Sequence, residues 1–212
     1  MTTRPSKKPG TLPPRKAVIL AAGFGTRMLP LSLDTPKPLM PLWGKPIVEH
    51  IIALLASWGV EEVLINLHYQ PEAICDYVRG RSARIPRITL SFEPDLLGTG
   101  GALQRAAWFL DTAPFWVINA DIAAEVNPQP FIRAFQQSNI LAALWLQPER
   151  GPRTVEMTQG RITDFASSRP GTKGTYTFCG VQVVSPHILR YIPRQGFSSI
   201  VQAYQRASAQ AW

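Results

Sequence analysis

Short apolar runs alternate with amphipathic helical patterns along most of the chain, and this alternation constrains the fold more than any other feature. A strand, a helix and a further strand in succession form a βαβ unit, and such units build a mostly parallel sheet with helices on both faces. The pattern predicts strands over residues 16–21, 62–67, 87–92, 115–119 and 140–146. It predicts helices over residues 46–57, 71–78, 99–110 and 130–137, so we assign the chain to the α/β class.

The pattern changes after residue 146, where shorter strands follow one another without intervening helices. Strands are predicted over residues 154–157, 161–165 and 175–184, with glycine-containing turns between them. These strands indicate a small antiparallel extension that covers one end of the cleft, and a short helix is predicted over residues 186–191. Because no repeat or linker divides the sequence, residues 16–212 are predicted to form a single domain.

Positive charge is concentrated at the N-terminus. Residues 1–15 contain no acidic side chain and no apolar segment typical of a secretion signal, so we expect a disordered basic tail. Five units of the net charge of +8 lie in the first sixteen residues, which leaves +3 for the remainder. That small excess suits a small polyanionic ligand and argues against a nucleic-acid groove.

The apolar runs and the cysteines bear on the location of the protein. No apolar run reaches the roughly 18–20 residues that a membrane-spanning helix needs, so no membrane partner is expected. Cys75 and Cys179 are isolated cysteines without the spacing of metal ligands. Reduced cysteines of this kind are typical of a cytoplasmic protein, which is the predicted location.

A glycine loop follows the first predicted strand. Gly23 and Gly25 carry no Cβ, so their backbone N–H groups can turn toward a phosphate. Arg27 offers a planar guanidinium that binds phosphate oxygens in pairs, and Lys37 adds a charge held between two prolines. The segment therefore predicts a nucleoside triphosphate site, whose nucleotide-binding residues here are Leu20, Ala21, Ala22, Gly23, Gly25, Thr26 and Arg27.

Two commoner phosphate-binding loops do not match these residues. The dinucleotide-binding fingerprint needs a third glycine where Met28 stands, and Pro30 blocks the helix that should begin there. A P-loop needs Ser or Thr after its Gly-Lys pair, whereas Gly44 and Lys45 are followed by Pro46. Both alternatives are therefore excluded.

The loop belongs to a longer set of motifs, which are LAAGFGTRM from residue 20, PKPLMPLWGKP from residue 36, LGTGGA from residue 97 and INAD from residue 118. Together they resemble the signature of the sugar-phosphate nucleotidyltransferases, the NDP-sugar pyrophosphorylases, over residues 16–190. The resemblance implies a Rossmann-like nucleotidyltransferase fold. It also implies transfer of a nucleoside monophosphate from an NTP to a sugar 1-phosphate, which gives an NDP-sugar and pyrophosphate.

Two further loops are expected at the same sheet edge as the glycine loop, because ligands of open α/β sheets bind beyond the carboxyl ends of the strands. One opens a helix with Gly98, Thr99, Gly100 and Gly101, which we expect to let a base approach the backbone; a helix cap by Thr99 is the simpler alternative. The other ends in Asp121, an oxygen ligand suited to Mg²⁺, although a turn aspartate would also fit.

Arg27, Lys37 and Asp121 are the predicted catalytic residues. Arg27 would hold the β- and γ-phosphates, Lys37 would bridge the α-phosphate and the incoming phosphate, and Asp121 would hold Mg²⁺. An oxygen of the sugar phosphate would attack the α-phosphorus in line while pyrophosphate leaves. Because this reaction needs no covalent nucleophile, catalysis would consist of positioning and charge stabilisation.

The sugar-phosphate side of the site is assigned to Lys37, Asn119, Arg169 and Gly180. Asn119 would also support the metal through a hydrogen bond. The resemblance implies a Glu-Glu-Lys-Pro segment near residue 169, where Arg169 keeps the positive charge and Ser168 replaces a carboxylate. It also implies that Gly180 faces the sugar, while a solvated surface arginine is the alternative for Arg169.

One departure from the family pattern lies near the C-terminus. The family supplies a second metal-binding aspartate there, and residues 207–211 contain none. Three explanations stay open: the chain is a fragment, the site works with fewer protein ligands, or the protein binds nucleotide without turnover.

The alternatives to a sugar-phosphate nucleotidyltransferase are therefore a non-catalytic regulator that binds a nucleotide or sugar nucleotide, and a cytidylyltransferase for a small phosphorylated alcohol or phosphonate. The sequence leaves the base, the sugar and the oligomeric state open, and a homo-oligomer is compatible with it.

Overall fold

The computed structural model describes residues 13–82, 85–137 and 140–210. Residues 1–12 of the predicted tail lie outside this range. Of the rest of the tail, Arg15 is joined to the domain, because its carbonyl oxygen accepts hydrogen bonds from the amides of Glu61 and Glu62 at 2.8 and 3.2 Å.

Strands and helices alternate as the sequence predicts. The strands are β1 (Lys16–Leu20), β2 (Pro41–Leu42), β3 (Lys45–Pro46), β4 (Glu62–Leu67), β5 (Arg87–Phe92), β6 (Phe115–Asn119), β7 (Ala142–Gln147), β8 (Val155–Thr158), β9 (Arg161–Asp164) and β10 (Thr175–Val184). The α-helices are α1 (Ile47–Ser57), α2 (Pro71–Gly80), α3 (Gly98–Arg105), α4 (Gln129–Gln137) and α5 (Ile200–Ala209). Short 3₁₀ helices cover Thr26–Met28, Lys37–Leu39, Ala106–Trp108 and Pro186–Tyr191.

The main sheet has the order β5-β4-β1-β6-β10-β8-β9, and β7 also pairs with β10. Strands β5, β4, β1 and β6 are parallel, so that Val18 is paired with Leu64 on one side and with Val117 on the other. Strand β10 runs antiparallel to β6, β7 and β8, and β8 runs antiparallel to β9. The predicted α/β fold, with a mostly parallel centre and a small antiparallel extension, is confirmed.

Helices cover both faces of the sheet. On one face α1, α2 and α4 pack through Ile51, Ile74 and Phe131 against the strands. On the other face α3 and α5 contribute Leu103 and Ala203 to a second cluster. Since parallel strands need cover on both faces, the carboxyl ends of the strands remain as the place where a ligand can reach the sheet.

The spacing of apolar residues explains why these helices form. In α1, Val48, Ile51, Ile52 and Leu55 recur at helical spacing and are at most 1% exposed. Burying each such side chain contributes about 1.5–3 kcal/mol to folding.

Helix α5 was not predicted, although its sequence carries a clear start signal. Ser199 and Gln202 form a capping box at its N-terminus. The helix packs on the sheet through buried Ile200, Ala203 and Tyr204. These residues recur at the same helical spacing as in α1, so the pattern was present in the sequence and could have been recognised.

Most of the other predicted elements match those observed. The strands predicted over residues 62–67, 87–92, 115–119 and 175–184 coincide with β4, β5, β6 and β10. The helix predicted over residues 99–110 is shorter, because α3 ends at Arg105 and a 3₁₀ turn follows it. Within the described residues, no helix is both long and apolar enough to cross a membrane.

Candidate active site

A cavity of about 380 Å³ lies at the carboxyl ends of the parallel strands. Its walls come from the loops that follow β1, β5 and β6, so segments that are distant in sequence form one site. The predicted site residues that line it are Leu20, Ala21, Ala22, Gly23, Gly25, Thr26, Arg27, Lys37, Gly98, Thr99, Asn119 and Asp121.

The glycine loop folds back on the segment that carries Lys37. Gly25 has a φ of 65°, and a Cβ built on it would lie 3.3 Å from Ser32 and 3.4 Å from Lys37. The Ser32 hydroxyl donates a hydrogen bond to the Gly25 carbonyl at 3.0 Å. A glycine is therefore favoured at residue 25 by both its backbone conformation and its neighbours.

Opposite charges meet at one side of the cavity. The Lys37 ammonium donates to the Asp121 carboxylate at 2.6 Å, and their side chains are 24% and 34% exposed. Arg27 is exposed at the cavity and forms no ion pair with the described residues. The exposed charges of the cavity are thus one compensated pair and one guanidinium that remains available to an anion.

Two polar residues of the cavity wall, Asn66 and Glu93, were not predicted from the sequence. Asn66 is near the end of β4, and Glu93 directly follows β5. Their side chains are joined by a hydrogen bond of 2.8 Å. A polar residue at the carboxyl end of an apolar parallel strand was the signal that could have identified both of them.

The family model described as nucleotidyl transferase matches residues 16–165 of this chain. The matched range holds the glycine loop, Lys37 and Asp121, which the structure brings to one cavity. The chain belongs to the nucleotidyl transferase family. The resemblance drawn from the motifs is therefore confirmed at the level of the family.

Relatives of this nucleotidyl transferase include mannose-1-phosphate guanylyltransferase 1 of Arabidopsis thaliana. The two sequences are 30% identical over an alignment of 203 residues, and the alignment covers 92% of this chain and 56% of the relative. The chain thus spans about half the length of the curated relative that it matches.

Solved structures show the same fold. HddC from Yersinia pseudotuberculosis, in complex with GMP-PN, superposes with a TM-score of 0.74 at 26% identity. The superposition covers 88% of this chain and 83% of the HddC chain. The inositol-1-phosphate CTP transferase from T. maritima gives a TM-score of 0.77 at 17% identity, over 94% of this chain and 83% of its own. The second likeness bears on the fold alone.

The first four residues of α3 differ in whether they line the cavity. Gly98 and Thr99 line the cavity, whereas Gly100 and Gly101 are buried and do not. The amides of Gly100 and Gly101 donate to the Ser198 carbonyl at 2.7 and 3.2 Å. Close packing against the chain before α5 accounts for the two buried glycines. The approach of a base to all four residues stays a prediction.

Thr99 has a partner that the sequence did not suggest. Its hydroxyl oxygen accepts a hydrogen bond from the amide of Ile200, the first residue of α5, at 2.9 Å. Thr99 therefore does not cap its own helix, which was the simpler alternative, and its hydroxyl lies at the start of α5 instead.

Residues assigned to the sugar-phosphate side are not all together. Asn119 and Lys37 line the cavity. Gly180 does not line it but lies against the Asn119 side chain, because a Cβ built on Gly180 would be 2.7 Å from the Asn119 side-chain nitrogen. Arg169 is exposed on the loop between β9 and β10 and does not line the cavity. Its predicted contact with a sugar phosphate receives no support from this placement.

The donor set of the cavity can be compared with what Mg²⁺ requires. Across the described residues, no group of three or more His, Cys, Asp or Glu side chains could hold a metal ion. Mg²⁺ usually takes one or two protein carboxylates and completes its shell with substrate phosphates and water. A single exposed carboxylate at Asp121, on the wall that also carries Arg27, fits an ion shared with a triphosphate.

Proposed function

We propose that this nucleotidyl transferase joins a nucleoside triphosphate to a sugar 1-phosphate and releases pyrophosphate. The observation that carries the proposal is the meeting of Arg27, Lys37 and Asp121 with the glycine loop at one cavity. The name of the Arabidopsis relative makes GTP and mannose 1-phosphate the substrate pair that we propose. The cavity lies at the sheet edge where α/β folds bind nucleotides, which is consistent with this reaction.

In the proposed reaction an oxygen of the sugar phosphate forms a bond to the α-phosphorus. The bond from that phosphorus to the oxygen bridging the α- and β-phosphates breaks, and pyrophosphate carries away the electron pair. Arg27 is exposed at the cavity without an ion-pair partner among the described residues, so it is available to hold the β- and γ-phosphates. Lys37 would leave Asp121 to bridge the two reacting phosphates, whose repulsion is the main obstacle to their approach.

Asp121 would hold Mg²⁺, which we propose as the cofactor. When bound, the ion would neutralise phosphate charge and orient the triphosphate. The salt bridge of 2.6 Å between Asp121 and Lys37 implies that ion binding and release of the Lys37 ammonium are coupled. Backbone amides of the glycine loop would then contact the phosphates, as N–H groups in such loops do.

A screen for pyrophosphate release tests the proposed function. The four common triphosphates would each be combined with several sugar 1-phosphates, with and without Mg²⁺, and thermal stabilisation by each nucleotide would be recorded in parallel. We expect pyrophosphate with GTP and mannose 1-phosphate in the presence of Mg²⁺ only. Release with another pair would change the substrates, and release from CTP with a phosphorylated alcohol would support the cytidylyltransferase alternative.

A regulator that binds nucleotide without turnover is the second candidate. It is favoured by one observation, namely that the described residues supply a single exposed carboxylate at the cavity and no cluster of metal ligands. Clear thermal stabilisation by a nucleotide, together with no pyrophosphate under any combination, would support the regulator and exclude the enzyme.

We also propose a cytoplasmic location. Cys75 and Cys179 are both free cysteines. Burial raises the pKa of the Cys179 thiol, which keeps it protonated at neutral pH. Reduced, unreactive cysteines are typical of proteins that work in a reducing compartment, and cell fractionation would test this location.

A further inference from the structure

The segment that carries Arg27 has little regular structure of its own. Residues 24–33, here called the arginine arch, contain a 3₁₀ turn over Thr26–Met28 and no longer helix or strand. The backbone hydrogen bonds within the arch are local, such as the bond of 3.0 Å from the amide of Leu33 to the Pro30 carbonyl. A segment with only local bonds opens at low free energy unless side chains from elsewhere hold it.

Tyr69 contacts the arginine arch on both sides of Arg27. The centroid of its ring lies 5.7 Å from that of Phe24, and the two ring planes make an angle of 62°. The Tyr69 hydroxyl donates to the Ser32 carbonyl at 3.1 Å. Because Phe24 precedes Arg27 in the sequence and Ser32 follows it, one side chain joins the two flanks of the arch.

The two neighbours of Tyr69 in sequence contact the same arch. The His68 ring packs edge-on against Phe24 with a centroid distance of 5.1 Å. The Gln70 side-chain amide donates to the Leu33 carbonyl at 2.5 Å and to the Tyr69 hydroxyl at 3.3 Å. Gln70 has a φ of 46°, a left-handed conformation that a residue other than glycine keeps only where its surroundings hold it. Three consecutive residues after β4 thus hold the arch from outside.

These contacts lie away from the cavity lining. Arg27 is exposed and lines the cavity, whereas Phe24, Ser32 and Tyr69 do not line it. Ser32 has no exposed surface, and its hydroxyl donates to the Gly25 carbonyl at 3.0 Å. Tyr69 is therefore connected to the cavity through the arch.

We propose that Tyr69 is a positioning residue, which keeps the Arg27 guanidinium at the cavity by contacting both flanks of the arginine arch. Without these contacts little burial holds the arch, since Leu29, Leu31 and Leu33 are each more than half exposed. An open arch removes the cation from a phosphate ligand, so the measured affinity falls with the population of the closed state. This inference rests on the proposed function, in which Arg27 holds the β- and γ-phosphates.

Limited proteolysis of the full chain tests the contacts of Tyr69 without a ligand. Trypsin can cleave after Arg27 when the arch opens, and cleavage after Lys173, an exposed residue of the loop before β10, is the internal reference. We expect cleavage after Arg27 to be about threefold faster in Tyr69→Phe and in Phe24→Leu, and about tenfold faster in Tyr69→Leu. The rate at Lys173 should stay unchanged.

Tyr191→Leu is the matched control, because Tyr191 is half-buried, as Tyr69 is, and does not line the cavity. It should leave cleavage after Arg27 at the wild-type rate. Wild-type cleavage after Arg27 in the Tyr69 variants would overturn the inference, and so would an equal acceleration at Lys173. If Tyr69→Leu does not fold, Tyr69→Phe and Phe24→Leu decide by the same criterion, since Phe24 is 45% exposed and lies outside the core.

A double-mutant cycle tests whether Tyr69 acts through Arg27. Affinity for inorganic triphosphate with Mg²⁺, a probe that does not depend on the base, would be measured for the wild type, Tyr69→Leu, Arg27→Ala and the double variant. We expect Tyr69→Leu to weaken binding about tenfold in the wild type and less than about twofold in Arg27→Ala. An equal factor in both backgrounds would overturn the inference. A wild type that binds no triphosphate would reject the phosphate site of the proposed function, and the cleavage rates would still decide on Tyr69.

Discussion

Lys37 and Asp121 form a half-exposed ion pair at the cavity, with a separation of 2.6 Å. Exposed pairs of this kind contribute about 0–1 kcal/mol to stability because water screens them and both side chains lose freedom. Ligand binding therefore explains better than folding stability why Lys37 and Asp121 lie at the same cavity as the glycine loop. It follows that changes at these residues should separate activity from stability.

Lys37→Ala and Asp121→Asn should each lower kcat/KM for pyrophosphate release by about 10²–10³, as the loss of a positioned charge does at other sites. The melting temperature should fall by less than about 3 °C, since the ion pair adds little to stability. Lys45→Ala is the matched control, because Lys45 is an exposed lysine of the β2–β3 hairpin outside the cavity. Turnover near the wild-type value in either variant would remove that residue from the mechanism.

Gly180→Ala should lower both stability and activity. Gly180 has a φ of 72°, and the added methyl group would lie 2.7 Å from the Asn119 side chain, which lines the cavity. Gly171→Ala separates the two effects, because Gly171 has a φ of 80° and no atom within 4 Å of its Cβ. We expect about 1 kcal/mol of destabilisation from the backbone strain in both variants. Only Gly180→Ala should also reduce kcat/KM, and equal activity of the two variants would refute the role of Gly180 in placing Asn119.

At the scale of elements, the segment before α5 braces the start of α3. Ser198 accepts hydrogen bonds from the amides of Gly100 and Gly101, and its own amide donates to the Leu97 carbonyl at 2.9 Å. A Cβ on Gly100 would lie 3.0 Å from the Ser198 hydroxyl oxygen and from the Ser199 carbonyl carbon. The two elements can approach this closely only because residue 100 lacks a side chain.

Gly100→Ala should therefore destabilise the protein by about 1–3 kcal/mol, the usual cost of overpacking. Gly80→Ala is the control, since Gly80 is also a helical glycine, the last residue of α2, and no atom lies within 4 Å of a Cβ built on it. Chemical denaturation would compare the two variants. A Gly100→Ala protein as stable as Gly80→Ala would show that the contact with Ser198 does not constrain α3.

A second contact between elements joins α1 to the end of α2. Arg81 donates to both carboxyl oxygens of Glu49 at 3.0 and 3.2 Å, and the Tyr77 hydroxyl donates to the same carboxylate. The hydrogen bond from Arg81 is the main cause that lowers the pKa of Glu49 below its ordinary 4.5, and the Arg81 side chain is only 8% exposed. The contact therefore holds a nearly buried guanidinium in place.

This contact predicts a pH-dependent stability difference. A lowered pKa in the folded state means that the ionised Glu49 stabilises the protein above pH 4.5, and that this contribution is lost as the pH falls through the lowered value. At pH 7, Glu49→Gln should lower the free energy of unfolding by about 1–2 kcal/mol, since Arg81 loses its charged partner. The difference between variant and wild type should shrink below pH 4, as followed by thermal unfolding. A difference that stays constant down to pH 3 would contradict this assignment.

The sequence predicted the parallel strands closely because β1, β4 and β6 are short apolar runs that are mostly buried, while β5, at the edge of the sheet, is partly exposed. The exposed position of Arg169, outside the cavity lining, is one of the two alternatives that the sequence left open, and the places of Asn66 and Glu93 on the cavity wall were not predicted. Asn66 and Glu93 could have been found as polar residues at the carboxyl ends of apolar strands, whereas the place of Arg169 depends on the path of a loop, which local spacing does not encode. The packing of Gly100 and Gly101 was not predictable either, since Ser198, which accepts from their amides, is about a hundred positions away.

At the scale of the whole molecule, the chain matches its relative over 92% of its own length but over 56% of that relative. The cavity is nevertheless assembled from residues 20–121, which lie within the range that the family model covers. The structure thus contains the walls that would gather a triphosphate, and the proposed reaction can be tested on the chain as it is.

The most direct test is a phosphorus NMR spectrum of the wild-type protein mixed with GTP, mannose 1-phosphate and Mg²⁺. We expect pyrophosphate and a nucleotide-linked sugar to appear in equal amounts. Omission of Mg²⁺ or the Lys37→Ala change should abolish both signals. A GTP spectrum that shifts on binding and then stays unchanged, with every sugar phosphate tried, would contradict the claim that Arg27, Lys37 and Asp121 form a catalytic site.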